Sequence, residues 1–267
     1  MDKQNIFCSS LFHMDSDDVL HILIKDLVGV LPDIELYDKE GNVEDGLYAN
    51  VEYGALYNWY AATDARNIAN TGWHMPTQTD YYNLLLYYDP LGDSNSNVAG
   101  GPLKETGLTY WNSPNTGATN SSGFNSRGTG YRNAVGLYEQ IKSASRFWNA
   151  ESVSVTYARV SQVSSWDIVF LSSSPTEQQS SPKKFGLSVR LIKDSTTLVH
   201  GQIGSYMGND GKVYNTICIG TQEWLSENLK ETKYRDGSLI PIVSLVVDWA
   251  ALTSAGMCYY DNDINYA

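Results

Sequence analysis

Apolar residues recur every three or four positions in two stretches of the chain and every second position in several others. After Ser16, Asp17 and Asp18 come Val19, Leu20, Leu23, Ile24 and Leu27, a spacing that predicts an amphipathic helix with acids at its positive end and Pro32 as its stop. The turn-rich run that follows, with Glu40, Gly41 and Asn42 at its centre, predicts a hairpin leading into the main body. A second helix is predicted where Thr77 precedes "QTDYYNLLLYY", because Asp80 completes a capping box, Tyr81, Leu84, Leu85 and Tyr88 share a face, and Pro90 and Gly92 end it. From Asn95 to Gly130, Gly, Ser, Asn, Thr and Pro dominate around Trp111 and Phe124, which predicts irregular but packed chain. Beyond Gly130 the period falls to two: "SVSVTYARVSQV", "WDIVFL", "FGLSVRLIKD" and "KVYNTICIG" read as strands, with turns at Asn209–Gly211 and Asp236–Gly237, while "TQEWLSENL" suits either period. One or two helices against short antiparallel sheets and long ordered loops make an α+β fold.

Charge changes the list of partners. Lys and Arg number 18 against 30 Asp and Glu, a net charge of −12, and the cations are scattered, so nucleic acid and anionic lipid are not expected partners. No apolar run is long enough to span a membrane, and "MDKQNIFCSS" lacks the features of a secretory signal. Tyr occurs 19 times beside abundant Asn, Ser and Gly, a chemistry shared by binding surfaces and by the cores of loop-rich folds.

A set of longer motifs says more. "YGALYNWYAA" begins at Tyr53, "GWHMPT" at Gly72, "AGGPLKETG" at Ala99, "WNSPNTGATNSSGF" at Trp111, "GYRN" at Gly130 and "FGLSVRLIKD" at Phe185, followed by "IGTQEWLSENLKETKYRDG" from Ile219 and "CYYDNDINYA" from Cys258. These blocks resemble the Fibrobacter succinogenes major paralogous domain, whose members look like C-type-lectin-like folds related to formylglycine-generating-enzyme domains. Their order is rotated relative to the family pattern. The resemblance therefore implies one circularly permuted domain over 47–267, with the family's C-terminal part at 47–194 and its N-terminal part at 195–267, after an accessory segment 1–46 that could serve oligomerisation or particle docking. A break moved along the chain is tolerable where termini lie together at the surface. The tail could close on its own chain, complete a neighbouring subunit, or open a second repeat. Where the family often has two cysteines, this chain has Ala69 and Leu191, so the resemblance implies that packing replaces a disulfide there. It also implies core positions for Trp59, Trp73, Trp111, Trp148 and Trp224.

Three kinds of chemistry compete. Enzyme relatives of this fold use paired cysteines, but Cys8, Cys218 and Cys258 match no such motif, and His13, His21, His74 and His200 have no metal-ligand spacing. A calcium-dependent sugar site would need six to eight oxygens, and "WNSPN" and "WNAE" are amide-rich partial echoes, with Asp261 and Asp263 reading as a solvated turn. The third reading rests on the segment 134–184, which departs from the family while its flanks hold. That layout resembles the variable proteins of diversity-generating retroelements, although drift in a solvent-facing sheet would leave the same trace. The resemblance implies a ligand-binding face containing Ala134, Val135, Leu137, Tyr138, Arg146, Asn149, Val153, Val155, Tyr157 and Arg159. The expectation is a non-enzymatic, adhesin-like or receptor-binding protein without catalytic residues, metal or cofactor. It would act on a phage virion or bacterial cell surface and bind a protein or glycan on a host or neighbouring cell, with a homo-oligomer possible through the N-terminal helix or a swapped tail. A structural surface module and an enzyme of the formylglycine-generating type are the alternatives.

Overall fold

The computed structural model describes residues 12–14, 20–22, 52–92, 95–166, 170–171 and 180–266. The chain divides into two compact units, Met1–Ala49 and Asn50–Ala267. In the first, β1 (Phe12–Met14) pairs antiparallel with β2 (Leu20–Ile22), Phe12 opposite Ile22 and Met14 opposite Leu20. Leu20–Ile22 is thus a strand, not part of the expected helix. A short apolar run satisfies both periods, and cross-strand pairing outweighs the weak helix preference of three residues. The rest of that expected helix, and the hairpin expected around Gly41, lie outside the described residues.

The second unit begins with β3 (Leu56–Tyr57), α1 (Trp59–Ala62), β4 (Trp73–His74) and α2 (Gln78–Tyr88). The α2 capping box is present as expected: Thr77 Oγ1 accepts from Asp80 N, and Asp80 Oδ2 accepts from Thr77 N at 2.8 Å. Tyr81, Leu84 and Leu85 are buried. Then come β5 (Asn95–Ser96), α3 (Gly100–Leu103), β6 (Thr129–Arg132), β7 (Tyr138–Ile141), β8 (Ala144–Ser152) and β9 (Tyr157–Ser164). The run "SVSVTYARVSQV" is not one strand. Ser154 Oγ accepts from Thr156 N and Tyr157 N, and Ser152 Oγ donates to Ser154 O, so serine side chains divert the backbone into a turn between β8 and β9.

β10 (Phe170–Leu171), β11 (Ser180–Pro182) and β12 (Ile192–Lys193) follow, then β13 (Ile203–Met207), β14 (Val213–Ile219), β15 (Gln222–Leu225), α4 (Val246–Ala251) and β16 (Met257–Cys258). One sheet runs β5-β10-β9-β8-β6-β7 with β11 also on β9, and a second runs β13-β14-β15-β12-β4. Within the first sheet β6 and β8 are parallel, Gly130 opposite Ser145, whereas β8 and β9 are antiparallel. Asn209–Gly211 lies between β13 and β14 as expected, and Gly211 has the left-handed φ of 89° that a tight turn asks of glycine. The ambiguous "TQEWL" is strand: Trp224 lies between Ile217 and Ile192 in register. The fold is α+β with mostly antiparallel sheets.

Residues 195–266 close on their own chain. Strand β16 pairs with β3, Met257 opposite Tyr57, while Tyr53 N, Ala55 N and Asn58 N donate to Tyr266 O, Leu229 O and Gly256 O at 2.9, 3.0 and 3.0 Å. The second sheet is built from both parts, β4 and β12 from before residue 195 and the other three strands from after it. Buried cations fasten the join. Arg190 donates to Asn228 Oδ1 and to the carbonyls of Phe124, Asn125 and Leu225, and Arg132 donates to the carbonyls of Gly136, Val243 and Ser244. Charge-assisted bonds to carbonyls satisfy both the guanidinium and otherwise stranded loop oxygens.

Three apolar clusters make the core. The first holds Tyr57, Trp73, Trp148 and Leu225, the second Tyr81, Trp111, Phe147 and Trp224, the third Leu56, Trp249, Cys258 and Tyr260. Phe147 and Trp148 feed different clusters, so β8 is buried on both sides. Ala69 and Leu191 sit fully buried in the first cluster, where packing holds the two segments. Trp59 departs from its expected core position and is half-buried, while Trp249 is a core tryptophan that the motifs did not indicate.

Candidate recognition face

The β6–β7 hairpin sets out the site. Tyr131 pairs with Glu139 and Arg132 with Tyr138, so alternation sends Tyr131 and Glu139 to one side and Arg132 and Tyr138 to the other. On the first side the Tyr131 ring stacks on Phe185 with centroids 5.5 Å apart and planes 9° apart, and the Arg146 guanidinium lies 4.3 Å from the same ring. Arg146 also donates through Nε to Gln162 Oε1 at 2.7 Å across β8 and β9. The Tyr131 hydroxyl donates to Glu139 Oε2 at 2.6 Å and Asn133 Nδ2 donates to Glu139 Oε1, and these bonds hold the Glu139 carboxyl below its ordinary range. Burial pushes the Tyr131 hydroxyl up. The product is a fixed ladder in which the Tyr131 ring is buried in the first core cluster and Phe185, Arg146 and Gln162 are half-buried.

Leu137, two residues before Glu139, is 54% exposed beside this ladder, and Val135 is 59% exposed at the hairpin tip. A Cβ on Gly136 would press on the backbone of Val246, so the tip abuts a further run of exposed aliphatics, Leu245, Val246 and Val247.

The ten residues expected to form one face are not gathered on one. Leu137 and Arg146 join the ladder, with Val135 and half-buried Ala134 at its edge. Tyr138 turns to the other side, its hydroxyl donating to Asn262 Oδ1 and its ring 4.9 Å from the Arg132 guanidinium. Val153, Val155, Tyr157 and Arg159 belong to the β8–β9 turn and the start of β9, where Val155 and Tyr157 are exposed. By alternation along β9, Tyr157 and Arg159 point away from the side that carries Val160 and Gln162. Asn149 is a correction: it is fully buried, its Oδ1 accepting from Ser161 Oγ and its carbonyl from Trp59 Nε1, because β8 is covered on both sides there. Tyr131 and Phe185 sit in motifs that resemble framework, and Tyr131 is core; its ring is what fixes Arg146.

Several groups weighed for chemistry have structural partners, while Cys8 and the side chains of His13 and His21 lie outside the described residues. Cys218 and Cys258 are buried, and burial pushes both thiols up, Cys258 to about 11, away from the thiolate that a nucleophile needs. His74 braces β4 to α2, with Nδ1 2.6 Å from Asp194 Oδ1 and Nε2 3.4 Å from Asp80 Oδ2. Bonding to Asp80 first, and to Asp194 after the opposing effect of burial, pushes its imidazole up. In "WNSPN", Asn115 donates to the carbonyls of Glu105 and Gly107 and Asn112 to Ser143 Oγ, and Glu151 of "WNAE" accepts from Gln78 N at the start of α2. Asp261 and Asp263 are exposed in a turn, Asp263 accepting from Asn265 N. Among the described residues no three His, Cys, Asp or Glu side chains converge as metal ligands. A depression lined by Glu52, Arg127, Glu227 and Lys230 holds only about 10 Å³, far below the roughly 300–1,000 Å³ typical of small-molecule sites. Among the described residues no helix is long and apolar enough to cross a membrane.

Comparison with known proteins is narrow in outcome. The sequence pattern that defines the Fibrobacter succinogenes major domain matches residues 33–193, more than half of the chain. The match stops short of the stretches that begin at Ile219 and Cys258. No curated protein and no solved structure matches.

Proposed function

Since the chain belongs to the Fibrobacter succinogenes major domain family, we propose that it is a non-enzymatic recognition protein whose contact surface is centred on Arg146 and Leu137. The observation that carries this reading is the half-buried Arg146 guanidinium held over the buried Tyr131 ring, with exposed aliphatics alongside. Aromatic and guanidinium groups supply most of the energy of protein contacts, and here they are fixed before binding, which lowers the entropy lost on association. The buried thiols favour binding over thiol catalysis.

The finer reading joins the family resemblance to this surface. The scaffold is C-type-lectin-like and circularly permuted, with β13, β14 and β15 standing first in the family order but written last here. The protein is displayed on a phage virion or bacterial surface and engages a protein or glycan on a host or neighbouring cell. The segment from Ala134 through β11 carries the variation, produced by a retroelement. A reverse-transcriptase gene beside this one, with a near-copy of the coding segment for Tyr131 to Arg190 differing mainly at adenines, is the expected genomic sign.

The binding test uses labelled protein against arrayed cell-surface proteins and glycans. Leu137→Asp and Arg146→Glu should each weaken the selected interaction by about tenfold or more while leaving the melting temperature within a few degrees. Binding equal to that of the unmodified protein in both variants would move the contact surface elsewhere.

A second reading, assembly without recognition, draws on the exposed Ile242, Leu245 and Val247. It requires a concentration-dependent oligomer in sedimentation that Leu245→Asp disperses.

A further inference from the structure

The turn between β13 and β14 is tied to the chain beyond β15 through two carboxyl groups. The Asp210 side chain is 5% exposed, and its Oδ2 accepts from Thr232 N at 3.0 Å, from Thr232 Oγ1 at 2.9 Å and from Lys212 Nζ. Glu231 is fully buried and meets fewer donors. Its Oε2 accepts from Asp210 N at 3.0 Å, while Oε1 is buried without a hydrogen bond among the described residues and lies against Gly208, where a Cβ would overlap it. The same turn also holds the loop before β4. Asn209 Nδ2 donates to Ile68 O at 2.8 Å and to Lys233 O at 3.3 Å, and Asn70 Nδ2 donates to Met207 O at 3.2 Å.

Two negative charges fit poorly in this arrangement. Despite burial, bonds from Lys212 and Thr232 hold the Asp210 carboxyl below its ordinary range, so Asp210 carries the first charge. The other titratable neighbours of Glu231 are Tyr57 from β3, Tyr206 from β13 and Tyr214 from β14, and burial pushes all three hydroxyls up, so they stay neutral. An ionised Glu231 would leave Oε1 charged, dry and beside a like charge. The nearby Tyr214 hydroxyl and Lys212 charge offset part of that cost, and burial with Asp210 still pushes Glu231 up to about 7. Gly208 stands where water would have to enter, so hydrating Oε1 displaces the turn. That end of the hairpin can yield at low cost, because Met207, Gly211 and Val213 are exposed.

We infer that Glu231, Asp210 and Gly208 form a proton-operated clasp: with Glu231 neutral the turn stays docked on Ile68, Thr232 and Lys233, and loss of that proton releases it while the sheets stay folded. The clasp joins residues before and after 195, so its release loosens that junction without breaking the pairing of β16 with β3.

Backbone amide exchange read by NMR on the whole chain at pH 5 and 8 tests the clasp, each rate being divided by the intrinsic rate at that pH. Protection of the Gly208, Asp210 and Thr232 amides should fall by about tenfold or more between the two values. At pH 8 dilute urea should speed exchange in β8 and β9 but not at these three amides, because a local opening exposes little surface. The Asn209 side-chain amide should move towards the shift of a free asparagine over the same range. Glu231→Gln, which cannot ionise, should abolish the pH dependence at the turn. Asp210→Asn, which removes the like charge but keeps an oxygen for Thr232 N, should shrink the fall. Equal protection of the turn at both pH values, the same fall in Glu231→Gln, or equal acceleration by urea at the turn and in β8 and β9 each overturns the clasp. Should Glu231→Gln fail to fold, Asp210→Asn decides, and a fall as large as that of the unmodified protein overturns it.

Discussion

Replacing Arg190 by Met tests how the two parts of the chain are held together. The guanidinium is fully buried and donates to Asn228 Oδ1, Phe124 O, Leu225 O and Asn125 O at 2.7, 2.7, 2.8 and 2.9 Å, above the Phe124 ring at 4.4 Å. Two of those acceptors, Leu225 and Asn228, belong to the tail. Methionine restores much of the apolar contact but none of the donors, so three buried acceptors and the part-buried Asn125 carbonyl lose their partner. At roughly 1 kcal/mol each, the low end for an orphaned buried group, the loss is about 4 kcal/mol. For a unit of this size that lowers the melting temperature by about 10 °C. Relief of the guanidinium's own desolvation works in the opposite direction, and among the described residues no carboxylate pairs with it directly to share that cost. Urea unfolding followed by tryptophan fluorescence and by far-ultraviolet circular dichroism measures the change. Lys at the same position, a point charge without the planar fork, should recover only part of it. A double cycle with Asn228→Ala should give a coupling of about 1 kcal/mol or more. An Arg190→Met protein within about 1 kcal/mol of the original would refute the reasoning, because hydrogen bonding and desolvation would then cancel.

Two further outcomes follow from one buried carboxyl. Burial first, and the Asp210 charge second, push Glu231 from its ordinary 4.5 up to about 7. The folded state therefore holds a proton that the unfolded chain releases, and stability should fall as pH rises from about 4.5 through 7, by at most about 3 kcal/mol. Melting curves at pH 5 and 8 should show a smaller difference for Glu231→Gln than for the unmodified protein; equal differences would contradict the burial argument. His74, also pushed up, contributes a slope of the same sign that is common to both proteins and cancels in the comparison. Gly208 packs against the same carboxyl so closely that an added Cβ would overlap Glu231 Oε1. Gly208→Ala should cost about 1–3 kcal/mol, and the double variant Gly208→Ala with Glu231→Ser should recover stability in the same unfolding assay. A single variant that melts like the original shows that the backbone moves aside freely.

Local features were legible wherever a few neighbouring residues decide the outcome. Thr77 and Asp80 cap α2 through bonds three residues apart, and Asn209–Gly211 reverses the chain with no help from distant groups. The expected face was legible only in part. Arg146 and Leu137 proved to be neighbours on one side, but Asn149 is buried and Tyr138 faces inward, since alternation along a strand says which residues share a side and not which side is covered. The serines at 152 and 154 turned an apparent long strand into two, because side-chain acceptors compete with the ladder for backbone donors.

The amino-acid sequence by itself determined the capped helix, the alternating strands, the turn positions and the family, each carried by residues close together in the chain. Only the tertiary structure decided that β16 closes on β3 and that Arg132 and Arg190 fasten the tail. Those depend on contacts more than thirty residues apart, whose value comes from excluding water around particular pairs, and no local pattern encodes which pairs will meet.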